Sequence, residues 1–194
     1  MNDRRFDHHK MHALLDPDRL SRWDPPSFLK RLAIRPGQSV LELGCGPGFW
    51  TLPLAELVGG SGRVWALDVS QEMLEALAKR NPPSQIHPML SELPEIKLPD
   101  ASQDWIWAAF VFHEVTPPEK LASEMRRLVN KNGVVAILDW RPDADGESGP
   151  PLQHRLSVEQ ITKYLKDSGF RSVLRTWQDD DAYLIEAKGL DKSE

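Results

Sequence analysis

The sequence predicts an open α/β sheet, mostly parallel, with helices on both faces. Three observations carry that class. Apolar runs of strand length, at 40–43, 63–67, 105–112 and 134–138, alternate with segments of helical spacing. The run VLELGCGPG, 40–48, reads as a buried strand that breaks into a glycine turn and leads into a helix. A second apolar run, RVWAL, ends at Asp68, 22 residues beyond Gly46. A strand, a glycine turn and a helix, followed by an acid at the end of the next strand, is how open α/β sheets hold a nucleoside-containing ligand.

Each element has its own signal. Asp16-Pro17 and Asp24-Pro25 read as N-caps followed by proline at the first helical position, so two short helices precede the sheet. The second carries Phe28, Leu29, Leu32 and Ala33, and Pro36-Gly37 ends it before the first strand. A helix is predicted over 48–58, stopped by Gly59-Gly60-Ser61-Gly62; strand two is 63–67. Ser70 caps a helix bearing Met73, Leu74, Leu77 and Ala78, closed by Asn81-Pro82-Pro83. A short run follows at 86–90, and strand four is predicted over 104–112. Thr116-Pro117-Pro118-Glu119 and Ser157-Val158-Glu159-Gln160 are capping-box patterns that start helices after Thr116 and Ser157, and Gly169 ends the latter. A further strand is predicted at 134–138, and the tail 171–188 alternates like an antiparallel hairpin. The polar stretch 141–151 reads as a mobile loop. Trp65, Trp105 and Trp107 fall in strand patterns and read as core.

The glycine spacing narrows the ligand. Dinucleotide sites use G-x-G-x-x-G, but here Gly44 and Gly46 are followed by Gly48, and Phe49 occupies the third dinucleotide position. The pattern Glu42-x-Gly44-x-Gly46-x-Gly48, with Asp68 after it, resembles the first motifs of class I S-adenosylmethionine-dependent methyltransferases. The resemblance runs from about residue 32 to 188, and the segment DVSQEML is most similar to the small-molecule group of ubiquinone and menaquinone C-methyltransferases. It implies a Rossmann-like sheet of seven strands with an antiparallel last strand, a turn over 128–133 before strand five, and S-adenosylmethionine as cofactor. It also implies a cofactor site of Glu42, Gly44, Cys45, Gly46, Gly48, Asp68, Val69, Met73, Glu92, Leu93 and Phe110. In that reading Asp68 holds the ribose hydroxyls, Glu42 organises the turn, Glu92 accepts from the adenine amino group, and Val69 and Met73 pack on the ring. Met73 at helical spacing also suits a core position, and Asp68 could instead cap the next helix.

Methyl transfer from a sulfonium needs alignment, a dry pocket and, for a weak acceptor, a base. Ligands in such sheets sit at the carboxyl ends of strands, so the acceptor-side residues are His113, Glu114, Asp139, Trp140 and Arg141, with His113 as the candidate base. Trp140 and Arg141 serve equally to stack on a planar or anionic substrate or to cover the sheet edge. Rival readings are an NAD(P)-dependent oxidoreductase, a non-catalytic cofactor-binding member, and an RNA or protein methyltransferase.

Composition bounds the rest. With 194 residues and 40% hydrophobic content, one substantial core is expected. We divide the chain into a helical arm, 1–36, and a cofactor-binding domain, 37–194; the arm is expected either to act as a lid over the acceptor pocket apart from the cofactor site or only to cover the sheet flank. A net charge of −5 disfavours nucleic acid as partner and leaves a small-molecule methyl acceptor. The longest apolar run falls far short of the ~20 residues of a membrane span, and the N-terminus lacks a leader's apolar core, so a cytoplasmic location is expected. Cys45 is the only cysteine, excluding an intrachain disulfide and a multi-thiolate metal site; inside the turn it reads as a small hydrophobe. His8, His9 and His12 have no zincin-spaced acid, so no metal is expected. Oligomeric state is not encoded in any signal found.

Overall fold

The computed structural model describes residues 6–189. A 3-10 helix, His8–Leu15, leads into helices α1 (Pro17–Trp23) and α2 (Pro25–Leu29). The remaining order is β1 (Ser39–Leu43), α3 (Thr51–Val58), β2 (Arg63–Asp68), α4 (Gln71–Lys79), β3 (Ile86–Leu90), β4 (Gln103–Ala109), α5 (Pro118–Leu128), β5 (Val129–Trp140), α6 (Val158–Asp167), β6 (Ser172–Gln178) and β7 (Ala182–Lys188). The seven strands run in the order β3-β2-β1-β4-β5-β7-β6, the α/β class the sequence predicts.

The chain divides into two compact units, 6–92 and 93–189. In the first, β1, β2 and β3 pair in parallel, with Leu43 opposite Leu67 and Asp68 opposite Leu90. Val40, Leu41 and Leu43 are fully buried, as are Leu54, Ala55 and Val58 of α3, because a parallel strand covered on both faces has no wet side. The predicted caps form: Asp16 accepts from the Asp18 amide, Asp24 from that of Ser27, and Ser70 from that of Met73. The 3-10 helix carries no sequence signal that we read, and the arm belongs to the same unit as the first three strands. The helix predicted from 48 starts at Thr51, because residues 44–50 are spent on the turn. Trp65 is half-buried beside His87, ring centroids 5.0 Å apart, so it is not a core residue.

In the second unit β4 and β5 pair in parallel, and β7 pairs antiparallel with both β5 and β6. Three expectations need correction here. The turn expected at 128–133 lies inside β5 as a bulge: the partner of Gln103 is Val129 and that of Trp105 is Val134. Asn130 Nδ2 donates to Asp104 Oδ1 at 2.8 Å, and a Cβ at Gly133 would lie 2.6 Å from Val129 Cγ2, so the chain folds tightly there and remains strand. Strand β4 ends at Ala109, since Phe110 takes a left-handed φ of 60° and Phe112–Glu114 form a 3-10 turn. The capping box at Thr116 does not form; the N-cap is Pro117, which has no side-chain acceptor. The box at Ser157 is complete, with Gln160 returning its side chain to the Ser157 amide at 2.8 Å.

Candidate active site

The glycine turn follows β1 because the backbone after Leu43 needs conformations that side chains resist: φ is 66° at Gly44, 52° at Gly46 and 89° at Gly48. It is tied down from several sides. The Cys45 amide donates to the Leu67 carbonyl at 2.9 Å and the Gly46 amide to Asp68 Oδ2 at 2.7 Å. Arg80 Nη1 donates to the carbonyls of Pro47 and Gly48 at 3.0 and 2.9 Å, a clamp that sequence reading missed. Asp68 Oδ1 accepts from the Ser70 amide at 2.9 Å, while Ser70 itself caps α4. Burial raises the Asp68 pKa, opposed by the amides of Ser70, Gly46 and Val69.

Glu42, on β1, is 1% exposed, and neither carboxylate oxygen has a hydrogen-bond partner of ordinary geometry among the described residues. Burial pushes its pKa up to about 8, tempered by the neighbouring Thr51 hydroxyl and reinforced by the charge of Asp68. An unpartnered buried carboxylate is costly unless a donor or cation satisfies it. Cys45 is buried, and burial, then the acids at Glu42 and Asp68, push its thiol well up, which fits the small-hydrophobe reading. Met73 is buried, whereas Val69 is 40% exposed at the carboxyl end of β2 and Glu92 is exposed beyond β3.

The arm stands closer to this turn than the sequence led us to expect. A Cβ at Gly46 would lie 3.3 Å from Leu14 Cδ1, the Arg19 guanidinium sits 4.7 Å over the Phe49 ring, and the 3-10 helix packs on α4. Its start gathers ligand-type groups of Asp7, His8 and His9 within 4.8 Å of one another, at the surface.

In the second unit, Leu93 and Phe110 are half-buried, and the Phe110 ring lies 4.5 Å from that of Trp140. His113 follows β4 and is buried, its Nδ1 2.7 Å from Asp139 Oδ1. Burial lowers the imidazole pKa, but the charge and hydrogen bond of Asp139 outweigh it and the net direction is upward. The loop expected to be mobile is instead fastened. Arg155, 5% exposed, donates to the carbonyls of Pro150 at 2.9 Å, Arg141 at 3.0 Å and Ser148, and lies 5.7 Å over the Trp140 ring. Arg141 pairs with Asp143 at 2.8 Å and donates to the Asp179 carbonyl at 2.7 Å, which occupies it within the fold.

The crystal structure of a SAM-dependent methyltransferase from Aquifex aeolicus matches this chain at 34% identity and a TM-score of 0.85, covering 94% of this chain and 98% of that one. The chain belongs to the S-adenosylmethionine-dependent methyltransferases. A methyltransferase-domain family matches residues 40–133, which holds the glycine turn, Asp68 and Glu92. Demethylmenaquinone methyltransferase of Lysinibacillus sphaericus is 36% identical over 112 residues, 57% of this chain and 48% of that protein. The ubiquinone/menaquinone biosynthesis C-methyltransferase of Cupriavidus taiwanensis is 30% identical over 120 residues, 59% of this chain and 49% of that protein. This methyltransferase thus spans about half the length of those curated relatives.

The residues fit the family's cofactor. S-adenosylmethionine brings a cationic amino group that suits the unpartnered Glu42 carboxylate, and ribose hydroxyls that Asp68 can accept through the lone pairs its two amides leave free. When bound, the cofactor supplies a methyl group on a sulfonium, a good leaving group. Among the described residues no helix is long and apolar enough to cross a membrane.

Proposed function

We propose that this methyltransferase carries a methyl group from S-adenosylmethionine to a small aromatic acceptor of quinol type, in the cytoplasm. The observation that carries the reading is Glu42: a fully buried, unpartnered carboxylate beside a glycine turn is a seat for a cation. A sulfonium cofactor with a free amino group answers that need, and a dinucleotide does not. In this reading Glu42, Gly44, Cys45, Gly46, Gly48 and Asp68 line the methionine and ribose portion. Val69, Met73, Glu92, Leu93 and Phe110 serve the adenine and its rim, and His113 is the base. The two relatives named for demethylmenaquinone and ubiquinone/menaquinone chemistry support the acceptor class. The net charge of −5 supports a small molecule over nucleic acid.

Calorimetry with S-adenosylmethionine and NAD in parallel tests the cofactor. Turnover of labelled methyl groups onto 1,4-dihydroxynaphthalene and a panel of substituted phenols tests the acceptor. Binding of S-adenosylmethionine alone, with methylated naphthol products, is expected. NAD binding, or product only on RNA or protein added in the same assay, overturns the reading.

A further inference from the structure

Resting on that reading, we propose that Asp139 is the positioning residue of an acid–base pair, holding the His113 proton on Nδ1 so that Nε2 receives the acceptor's proton. The geometry is specific. Asp139 Oδ1 stands 2.7 Å from His113 Nδ1, Oδ2 accepts from the His113 amide at 3.1 Å, and Oδ1 also accepts from the Trp140 amide at 2.8 Å. The side chains are 3% and 1% exposed. Two backbone amides and the imidazole ring contact this one buried carboxylate and leave it no freedom to turn. The imidazole is pinned through its backbone and its ring at once. Among the described residues Nε2 has no hydrogen-bond partner. A latch that only joined the ends of β4 and β5 would be complete with the backbone bond; the ring bond decides a tautomer.

The charged groups around the pair favour a working base. Glu114, next in the same 3-10 turn, and Asp139 on β5 draw a proton toward the imidazole, while Arg155, beyond the pinned loop, repels it. Tyr183 on β7 faces Asp139 but spends its hydroxyl hydrogen on the Leu156 carbonyl at 2.6 Å, and burial, then Asp139, push its pKa up, so it stays neutral. In the step itself, the acceptor's O–H bond breaks and its proton passes to Nε2, forming an imidazolium beside the Asp139 carboxylate. The electron pair left on the acceptor, shared between oxygen and ring carbon, forms the new bond to the methyl carbon as the methyl–sulfur bond breaks, its pair staying on sulfur in a neutral thioether. A ring carbon methylated in this way then loses its proton to water and the ring regains aromaticity. The imidazolium then returns its proton to water. The proton stays on the imidazole and does not pass to Asp139, which only orients the ring.

The test is long-range ¹⁵N–¹H correlation NMR on the full chain with ¹⁵N-histidine, titrated in pH, with S-adenosylmethionine present and absent. Wild type is expected to show His113 protonated on Nδ1 when neutral, with a pKa above the ordinary 6.5. Asp139→Asn is expected to lose the tautomer preference and lower that pKa. In the 1,4-dihydroxynaphthalene assay it should move the lower inflection of the kcat profile to lower pH and cut kcat at least tenfold, with KM little changed. Asp139→Glu should restore part of both. A wild-type His113 protonated on Nε2, or a folded Asp139→Asn with an unmoved inflection, overturns the proposal. Should Asp139→Asn not fold, the wild-type tautomer still decides. Failure of every acceptor in wild type overturns the acceptor reading alone, and the tautomer then decides the pairing.

Discussion

The Gly46 amide donates to Asp68 Oδ2 across 2.7 Å, joining the turn after β1 to the last residue of β2. The acid that reads in sequence as a ribose ligand therefore has a second task, since it also holds the glycine loop that we propose as the cofactor's seat. Asp68→Ala should weaken S-adenosylmethionine binding by about 1.5–3 kcal/mol through loss of a charged acceptor. It should also lower folding stability by about 1–3 kcal/mol because the buried Gly46 amide and the partly buried Ser70 amide lose their partner. Calorimetry and urea unfolding separate the two losses; unchanged affinity in a folded variant removes Asp68 from the cofactor site.

Gly46→Val is expected to abolish cofactor binding with the fold retained by circular dichroism. The residue sits at φ 52°, and its added carbon would meet Leu14 Cδ1 at 3.3 Å and Met73 Sδ at 4.0 Å, the two groups that border the turn. Gly48→Ala acts differently: its Cβ would lie 2.5 Å from Leu77 Cδ1 in the core. It should destabilise by about 1–3 kcal/mol through overpacking, read as a lower urea midpoint with unchanged slope.

Glu42 makes stability fall with pH. Its folded pKa of about 8 lies above the ordinary 4.5, so the folded protein keeps a proton that the unfolded chain gives up. That contribution is full below about pH 4.5 and is lost as pH rises through about 8. Melting temperature should drop between pH 5 and pH 8 in wild type, and the drop should shrink in Glu42→Gln. The cation reverses the preference. S-adenosylmethionine affinity should rise with pH up to about 8, and binding should release a proton, seen as a buffer-dependent enthalpy; both effects should vanish in Glu42→Gln.

Arg155→Met removes a buried guanidinium that serves three carbonyls of the 141–151 loop. Proteolysis and amide exchange should accelerate in that loop, while S-adenosylmethionine affinity stays within about tenfold, ~1.4 kcal/mol. Exchange rates equal to wild type would show that the loop is held by other contacts.

Deletion of residues 1–23 should weaken cofactor binding more than tenfold, because it strips Leu14 from Gly46 and Arg19 from Phe49. Affinity within tenfold of wild type would return the arm to the acceptor-lid role expected from sequence.

Legibility in the sequence followed the range of the interaction. The glycine turn, Asp68 and the caps at Asp16, Asp24, Ser70 and Ser157 are local: a fixed backbone need selects a residue type within a few positions. The pairing of His113 with Asp139, 26 residues apart, gave only a list of strand-end candidates. The clamps of Arg80 and Arg155 left no trace, because both donate to carbonyls, and every residue has one. The bulge in β5 looked like a turn since asparagine and glycine serve both. The position of Leu14 depends on how a marginal 3-10 helix docks, which no periodicity records.

The contact of Leu14 with the Gly46 face has a kinetic consequence. Were the cofactor to lie along this turn on the face that Leu14 covers, the arm would have to swing aside for it to enter or leave, and exchange would be gated. Association should then run slower than an open-site encounter and saturate with concentration at the opening rate of the arm. In steady state, release of the spent thioether would set the turnover number. A methyltransferase with a fast chemical step would show a burst of one product per chain before settling to the pace of its own N-terminal arm.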